Sequence, residues 1–450
     1  MEVQPVSDLP ALATDAYVYG FPLVSDVDEV DRFTRTGMGA MRPAPVNTFS
    51  HATQLAGPDD TFVSVNNDTI YSIAMLDLSA GPMIMNVPDT AGRYYVMQFV
   101  DAWTNNFAYV GRRATGTAAG RFLLTPPGWT GSVPPGLTRI SCPTRAASIV
   151  GRWACAGADD LPAVQALQRA VSLQPMGTPA PAVGLPQPDG RADDDLRFFE
   201  KMRVRMQAFP PARRDVTYQQ TFAQLGLLDA ASPYASPDPE LAEALRIGMK
   251  AGKERIEDRA VCRDSTIQDG WLLAYHAFDY NADFFEIGAR SDAEWVIADR
   301  AEAYLTRAVA AQVALWGNHA YEAAYAMTFN DGSGKPLDGR RAYTMRLTEP
   351  PPVDAFWSVT MYGVPDYYLV ANPIDRYSLG DRTPGLHYAA DGSLTLHLRP
   401  DRPPDAAEAA NWLPTPSGPF RPILRMYQPT AAALDGSYVI PPITPVGGDD

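Results

Sequence analysis

The spacing of apolar positions divides the chain into three textures. From Ala11 to Val30 apolar side chains recur at helical intervals, with Leu12, Ala16, Tyr19 and Leu23 on one stripe, which predicts a helix kinked at Pro22. The period then drops to two. Thr61-Phe62-Val63-Ser64-Val65 alternates and stops at Asn66-Asn67-Asp68, and Arg93-Tyr94-Tyr95-Val96-Met97-Gln98-Phe99-Val100 follows the turn-like Pro88-Asp89-Thr90-Ala91-Gly92. Both runs read as strands.

Pro175, Pro179, Pro181, Pro186 and Pro188 crowd the next stretch, which resists both helix and central strand and marks a connection. Helical spacing returns after it. Asp238-Pro239 opens a helix carrying Leu241, Ala244, Leu245 and Met249. Ser291-Asp292-Ala293-Glu294 matches a capping box, and Trp295, Ala298, Ala301, Leu305, Ala308, Val309, Gln312 and Trp316 predict one long helix from there. Beyond Met327 the β pattern resumes, with Asp331-Gly332, Asp338-Gly339 and Asp391-Gly392 as hairpin turns. Phe356–Tyr362 and Ser393–Leu398 are the clearest strands.

This order predicts an α+β chain: two β-sandwich or jelly-roll-like domains with an intervening helical segment. The expected divisions are an N-terminal β-rich domain with a leading helix (1–174), a Pro/Gly-rich connection (175–192), a helical segment (193–326) and a C-terminal sandwich (327–450). No internal repeat links the β regions.

Composition narrows the function. Of 450 residues, 37 are Lys or Arg and 52 Asp or Glu, a net charge of −15. Phosphate recognition needs clustered cations, so nucleic acid and anionic membranes are not expected partners; a small molecule is, and a homo-oligomer is left open. The three cysteines, Cys142, Cys155 and Cys262, form no CxxC pair. With no charged n-region before an apolar stretch near Met1, no signal peptide is visible and a cytoplasmic location is expected. No apolar run is long enough for a spanning helix.

Metal and cofactor templates fail. His387 and His397 flank Asp391-Gly392, but a two-residue loop would pair His387 with Leu396 and point the imidazoles to opposite faces. His276 and His319 lack an i, i+4 partner, and His51 is alone. A hard cation at Asp68 or Asp101 has no supporting ligand spacing. Phosphate-loop, Rossmann and nucleophile-elbow patterns are absent, so neither metal nor organic cofactor is expected.

Three clusters could carry chemistry. Asn66-Asn67-Asp68-Thr69-Ile70-Tyr71 puts a carboxylate and a phenol at a strand edge, where Asp68 suits a general base and Tyr71 a proton donor; equally, the Asn-Asn-Asp run closes its own Asx turn. In Arg93 to Asn106, alternation puts Tyr95 and Asp101 on one face, followed by Trp103, Asn105 and Asn106. That mixture suits a hydroxylated or aromatic ligand, with Asp101 and Tyr95 as a second acid–base pair. The alternative is a buried Asp101 pairing with Arg93 or Arg152 while Trp103 packs inside. In the C-terminal part, Phe356, Ser358, Thr360 and Tyr362 share a strand face beside Trp357. Asn372 to Ser378 forms a turn in which Arg376 either clamps a carboxylate or ties down the turn. Asn66, Asn67, Trp103, Asn105, Arg152, Trp357, Tyr362 and Arg376 are therefore the substrate-binding candidates.

The motifs resemble the bacterial family that pairs domain of unknown function 1254 with a C-terminal domain of unknown function 1214. The resemblance rests on Ala16-Tyr17-Val18-Tyr19-Gly20-Phe21-Pro22-Leu23, Asn66 to Tyr71, Gly92-Arg93-Tyr94-Tyr95 through Asp101, and Gly111-Arg112-Arg113-Ala114-Thr115-Gly116. In the second half it rests on Phe356 to Tyr362, Asn372-Pro373 with Arg376-Tyr377-Ser378, Asp391-Gly392-Ser393-Leu394 and Asn411-Trp412-Leu413-Pro414. It implies two β-rich domains around a helical segment and adds weight to Asp68, Tyr71, Tyr95, Asp101 and Trp103 as a site. Relatives often look exported. The resemblance implies no reaction.

Two function classes follow. One is a cofactor-independent enzyme using Asp and Tyr acid–base chemistry on a small polar or aromatic molecule, of lyase, isomerase or hydrolase type. The other is a non-catalytic small-molecule or carbohydrate-binding or assembly protein, with Trp103 and Trp357 as stacking platforms.

Overall fold

The computed structural model describes residues 8–39, 41–60, 64–261 and 266–447. The first helix, Leu9–Thr36, starts where the Asp8 carboxylate accepts from the Ala11 amide and ends at Gly37, whose positive φ of 78° turns the chain away. Pro22 sits inside without ending it. Its buried face, including Ala13, Ala16, Tyr17, Leu23 and Val27, packs on helices Arg197–Ala208, Pro239–Val261 and Arg300–Val313. A glycine sets the closest crossing. A Cβ added at Gly248 would lie 2.4 Å from the Ala13 Cβ, so the two backbones meet where no side chain intervenes.

Two sheets follow in the N-terminal half. Five strands run in the order Phe49–His51, Thr69–Asp77, Ala146–Ala154, Tyr95–Asp101 and Asn106–Gly111. Four more, Thr138–Ser141, Gly120–Thr125, Met83–Val87 and Ser172–Pro175, form a second sheet. Tyr95, Met97 and Phe99 from the first share a core with Met83, Met85 and Phe122 from the second. The opposite face of the same strand, Tyr94 and Val96, packs on the C-terminal half. The alternation expected for this strand is thus used on both sides.

The C-terminal half also pairs two sheets. A six-stranded sheet runs Thr266–Gln268, Trp271–Leu273, Ala323–Met327, Phe420–Pro429, Val353–Gly363 and Ser378–Gly380. A four-stranded sheet, Trp412–Pro414, Leu394–Arg399, Tyr343–Leu347 and Thr444–Pro445, closes the core against it. The class is α+β with sheet-rich halves, as the pattern predicts.

Three local expectations change. The helix predicted from Trp295 starts at Arg300, capped by the Asp299 carboxylate on the Glu302 amide at 2.8 Å. Trp295 is drawn instead into the C-terminal core, Val296 is extended, and the Ile297 amide donates to Asp279 O. The strand Leu394–Arg399 pairs with Tyr343–Leu347 and Trp412–Pro414, so His397 faces Thr344 and Trp412 in register and the expected His387–Leu396 pairing does not form. The His387 amide donates to the Asn411 side chain. Of Thr61 to Val65, the first three residues, like Cys262, lie outside the described residues; Ser64 is a turn position with φ 56°.

Candidate functional site

The Asn66-Asn67-Asp68 turn closes on itself and also reaches across the molecule. Asn66 Oδ1 accepts from the amides of Asp68 at 2.5 Å and Thr69 at 3.3 Å, the Asx turn that these residue types favour. That turn is the scaffold of the site. Its Nδ2 donates to Tyr427 OH at 2.7 Å, and Asn67 Nδ2 to Ala56 O at 2.6 Å. The Asp68 side chain then points out of the N-terminal sheet at the C-terminal one. Its Oδ2 accepts from Ser358 Oγ at 2.6 Å and Tyr427 OH at 3.3 Å.

Asp68 is 4% exposed and lines a cavity of about 420 Å³ between the halves. The N-terminal side of the wall is Asn67, Asp68 and the 155–157 bend; the C-terminal side is Ser358 and the 374–384 loop, with Arg376, Tyr377 and Arg382. Arg382 donates to Asp68 O at 3.0 Å, and its guanidinium sits 3.5 Å from the Phe356 ring centre. Phe356 in turn stacks on Tyr427 at 4.1 Å. Burial first, and then the Asp68 charge, pushes the Tyr427 phenol well above its ordinary pKa, so Tyr427 stays a neutral donor to the carboxylate.

The remaining candidates divide by location. Tyr71 lines a smaller cavity of about 110 Å³ with Asn66, Thr69, Arg152 and Trp316. Arg152 is held there by Gln98 Oε1 and Trp316 O, both at 2.8 Å, and its guanidinium carbon lies 5.3 Å from the Tyr71 ring centre. Tyr362 is fully buried and donates to Val65 O at 2.7 Å, bracing the turn from behind. Arg376 Nη1 donates to the carbonyls of Ala410 and Trp412 at 3.1 and 2.9 Å, so it ties down its turn while lining the cavity.

Asp101 is elsewhere. Its carboxylate accepts from the amides of Trp103 and Asn105 and from Asn105 Nδ2, all at 2.9 Å. Burial pushes its pKa up to about 6 against those hydrogen bonds. The Cys155 amide bonds Asp68 O, whereas Ala147 on the same strand pairs with Asp101. That places the two carboxylates at opposite ends of the sheet, roughly 25 Å apart at ~3.3 Å per residue. They do not form one acid–base site. Tyr95 is also turned away, stacked on Trp153 at 5.3 Å in the N-terminal core.

Both tryptophans are buried. Trp103 packs against Tyr19 in the helical core with Nε1 on Phe209 O at 2.9 Å, and Asn105 Oδ1 accepts from Arg307 at 2.9 Å. Trp357 is 2% exposed, packs in the C-terminal core and is also one of the residues lining the large cavity. Sequence reasoning missed Ser358 and Tyr427 as partners of Asp68, and Arg382. Alternation did put Ser358 on the face with Tyr362; nothing local marks Arg382. Among the described residues, no three His, Cys, Asp or Glu side chains gather as a metal site, and no helix is long and apolar enough to cross a membrane.

Comparison with known proteins places this geometry in a family. The crystal structure of the VPA0106 protein from Vibrio parahaemolyticus is similar over 98% of this chain and 100% of that one, with a TM-score of 0.75 and 23% identity. An uncharacterised protein from Burkholderia cenocepacia matches over 95% of this chain and 88% of that one, with a TM-score of 0.45 and 12% identity. No curated protein matches. Residues 46–175 match a protein of unknown function, DUF1254, and residues 322–431 a protein of unknown function, DUF1214. Asp68 falls in the first match and Ser358, Arg376, Arg382 and Tyr427 in the second, so the cavity is built where the two meet. The chain belongs to the family that joins these two domains.

Proposed function

We propose that the chain is an enzyme working without an organic cofactor on a small polar or aromatic molecule held in the cavity between its halves, with Asp68 as general base. The observation that carries this reading is the Asp68 carboxylate, set in the cavity wall and held at 2.6 Å by the Ser358 hydroxyl. A carboxylate fixed in a cavity wall by a hydrogen bond accepts a proton from a bound substrate in a defined direction. Ser358, which lines the same space, is the hydroxyl through which that proton can be returned. Tyr427 is a positioning residue, because it is fully buried outside the cavity lining and its hydroxyl, which accepts from Asn66 Nδ2, donates to the carboxylate. The reaction class is proton abstraction leading to elimination, isomerisation or hydrolysis.

Asp68→Asn keeps the shape and removes the base. Screened against small polar and aromatic molecules by mass spectrometry, the native protein is expected to convert a substrate that this variant leaves untouched. Retained conversion in the variant removes Asp68 from the mechanism. The alternative, a protein that binds without converting, gains no support from Trp103, which is buried in the helical core, and has Trp357 as a buried residue of the cavity wall. It is the reading left standing when binding is found with no product.

A further inference from the structure

The cavity wall carries two arginines that make no ion pair among the described residues, although Asp160 and Asp381 lie within electrostatic range of Arg382. Arg376 and Arg382 both line it, and among the described residues neither has a carboxylate oxygen within 4 Å, although ion pairs of that kind occupy many other arginines of the chain. Arg376 is half-buried and spends Nη1 on two backbone carbonyls, which carry no full charge. Burial alone acts on its guanidinium and lowers its pKa. A half-buried guanidinium in that position gains from an anion to which it can donate.

Arg382 is held by other contacts. Its guanidinium lies on the Phe356 ring, one Nη2 contact goes to Asp68 O, and the remaining donors are not engaged by any acid. Two carboxylates do share the lining, Asp68 and Asp375. Asp68 is occupied by Ser358 and Tyr427, and exposed Asp375 accepts from Tyr377 OH at 3.1 Å. The lining therefore combines a base with two guanidinium groups, which can grip a planar anion while a proton-bearing atom of the same molecule faces the carboxylate.

We infer that the natural substrate class is an organic carboxylate, bound through its carboxylate group by Arg376 and Arg382 with its reacting carbon or hydroxyl beside Asp68. This rests on the proposed function for the role of Asp68 and on the cavity alone for the anion. An uncharged molecule of the same size forms no ion pair with either cation.

The test uses the full chain and matched probes: benzoate, 4-hydroxybenzoate, succinate and malate, each beside its uncharged amide, with binding followed by ligand-observed NMR. Carboxylates are expected to bind and amides to bind at least about tenfold more weakly, since charge-assisted bonds exceed the ~1.4 kcal/mol that a factor of ten requires. Arg382→Gln is expected to erase that preference. Arg376→Lys, which keeps a donor for the Ala410 and Trp412 carbonyls, is expected to reduce it while a thermal melt shows the fold intact. Asp68→Asn is expected to keep it. Equal binding of acids and amides, no binding by any acid, or an unchanged preference in both arginine variants overturns the inference. Carboxylate binding without any Asp68-dependent conversion overturns the catalytic reading instead and leaves this one in place.

Discussion

Ser358 Oγ donates a 2.6 Å hydrogen bond to Asp68 Oδ2 across 290 positions of sequence, joining the start of the strand Thr69–Asp77 in the N-terminal sheet to the strand Val353–Gly363 of the C-terminal one. Of the two carboxylates that line the large cavity, the bond fixes the buried one. Removing the donor leaves Tyr427 alone on that oxygen, at 3.3 Å. Ser358→Ala should cost about 1 kcal/mol of stability and slow conversion while substrate binding persists. A melt paired with a KM and kcat comparison checks it, and an unchanged kcat counts against the assignment.

Asp101 gives the opposite expectation. It is fully buried and accepts three hydrogen bonds within its own turn, which makes it a structural brace. Asp101→Asn sets two amides face to face at Asn105 and should destabilise the fold by about 2 kcal/mol. Activity per folded molecule should be unaltered. Urea unfolding with a parallel assay separates the two, and a lost activity in a fully folded variant restores Asp101 to the chemistry.

Glu322 supplies a pH dependence. Burial pushes its pKa from 4.5 up to about 7, against the hydrogen bond from Tyr94 at 2.9 Å. Below pH 4.5 both folded and unfolded chains hold the proton and nothing is lost. Between 4.5 and 7 the unfolded chain releases it while the folded one keeps it, so this group takes stability away as pH rises through that window. Glu322→Gln cannot ionise. Its melting temperature relative to the native protein should rise from below pH 4.5 to above pH 7, and a difference that stays flat contradicts the burial argument.

The crossing of helices Leu9–Thr36 and Pro239–Val261 depends on Gly248. A Cβ there would meet Ala13 Cβ at 2.4 Å and the Ala13 carbonyl carbon and Thr14 nitrogen at 2.7 Å, and backbone atoms cannot step aside as a side-chain tip can. Gly248→Ala should therefore destabilise by about 1–3 kcal/mol in spite of alanine's better helix propensity. Thermal unfolding is the check, and a stabilised variant would show that the helices slide freely.

What the sequence made legible was local. Period-two alternation separated Tyr95 and Phe99 from Tyr94 and Val96, and the structure buries those sets on opposite sides of one strand. The helix at Leu9–Thr36 and the Asx turn at Asn66 likewise needed only neighbours. Expectations failed where a distant partner outweighed a local signal: Trp295 left its helix for the C-terminal core, and Leu394–Arg399 took Tyr343–Leu347 as partner in place of a hairpin. The site failed for the same reason in part. Asp68 was legible as a carboxylate in a turn, but its partners Ser358, Arg382 and Tyr427 come from three distant segments, and only the packing of the two halves brings them together.

If the Asp68 carboxylate abstracts a proton from a molecule in this cavity, side-by-side conversion assays of the native chain and Asp68→Asn against the carboxylate panel will show it. Product is expected from the native chain, with a loss on the order of 10²–10⁴-fold in the variant and the same carboxylate binding in both. Equal product from the two, or binding with no product from the native chain, would contradict it.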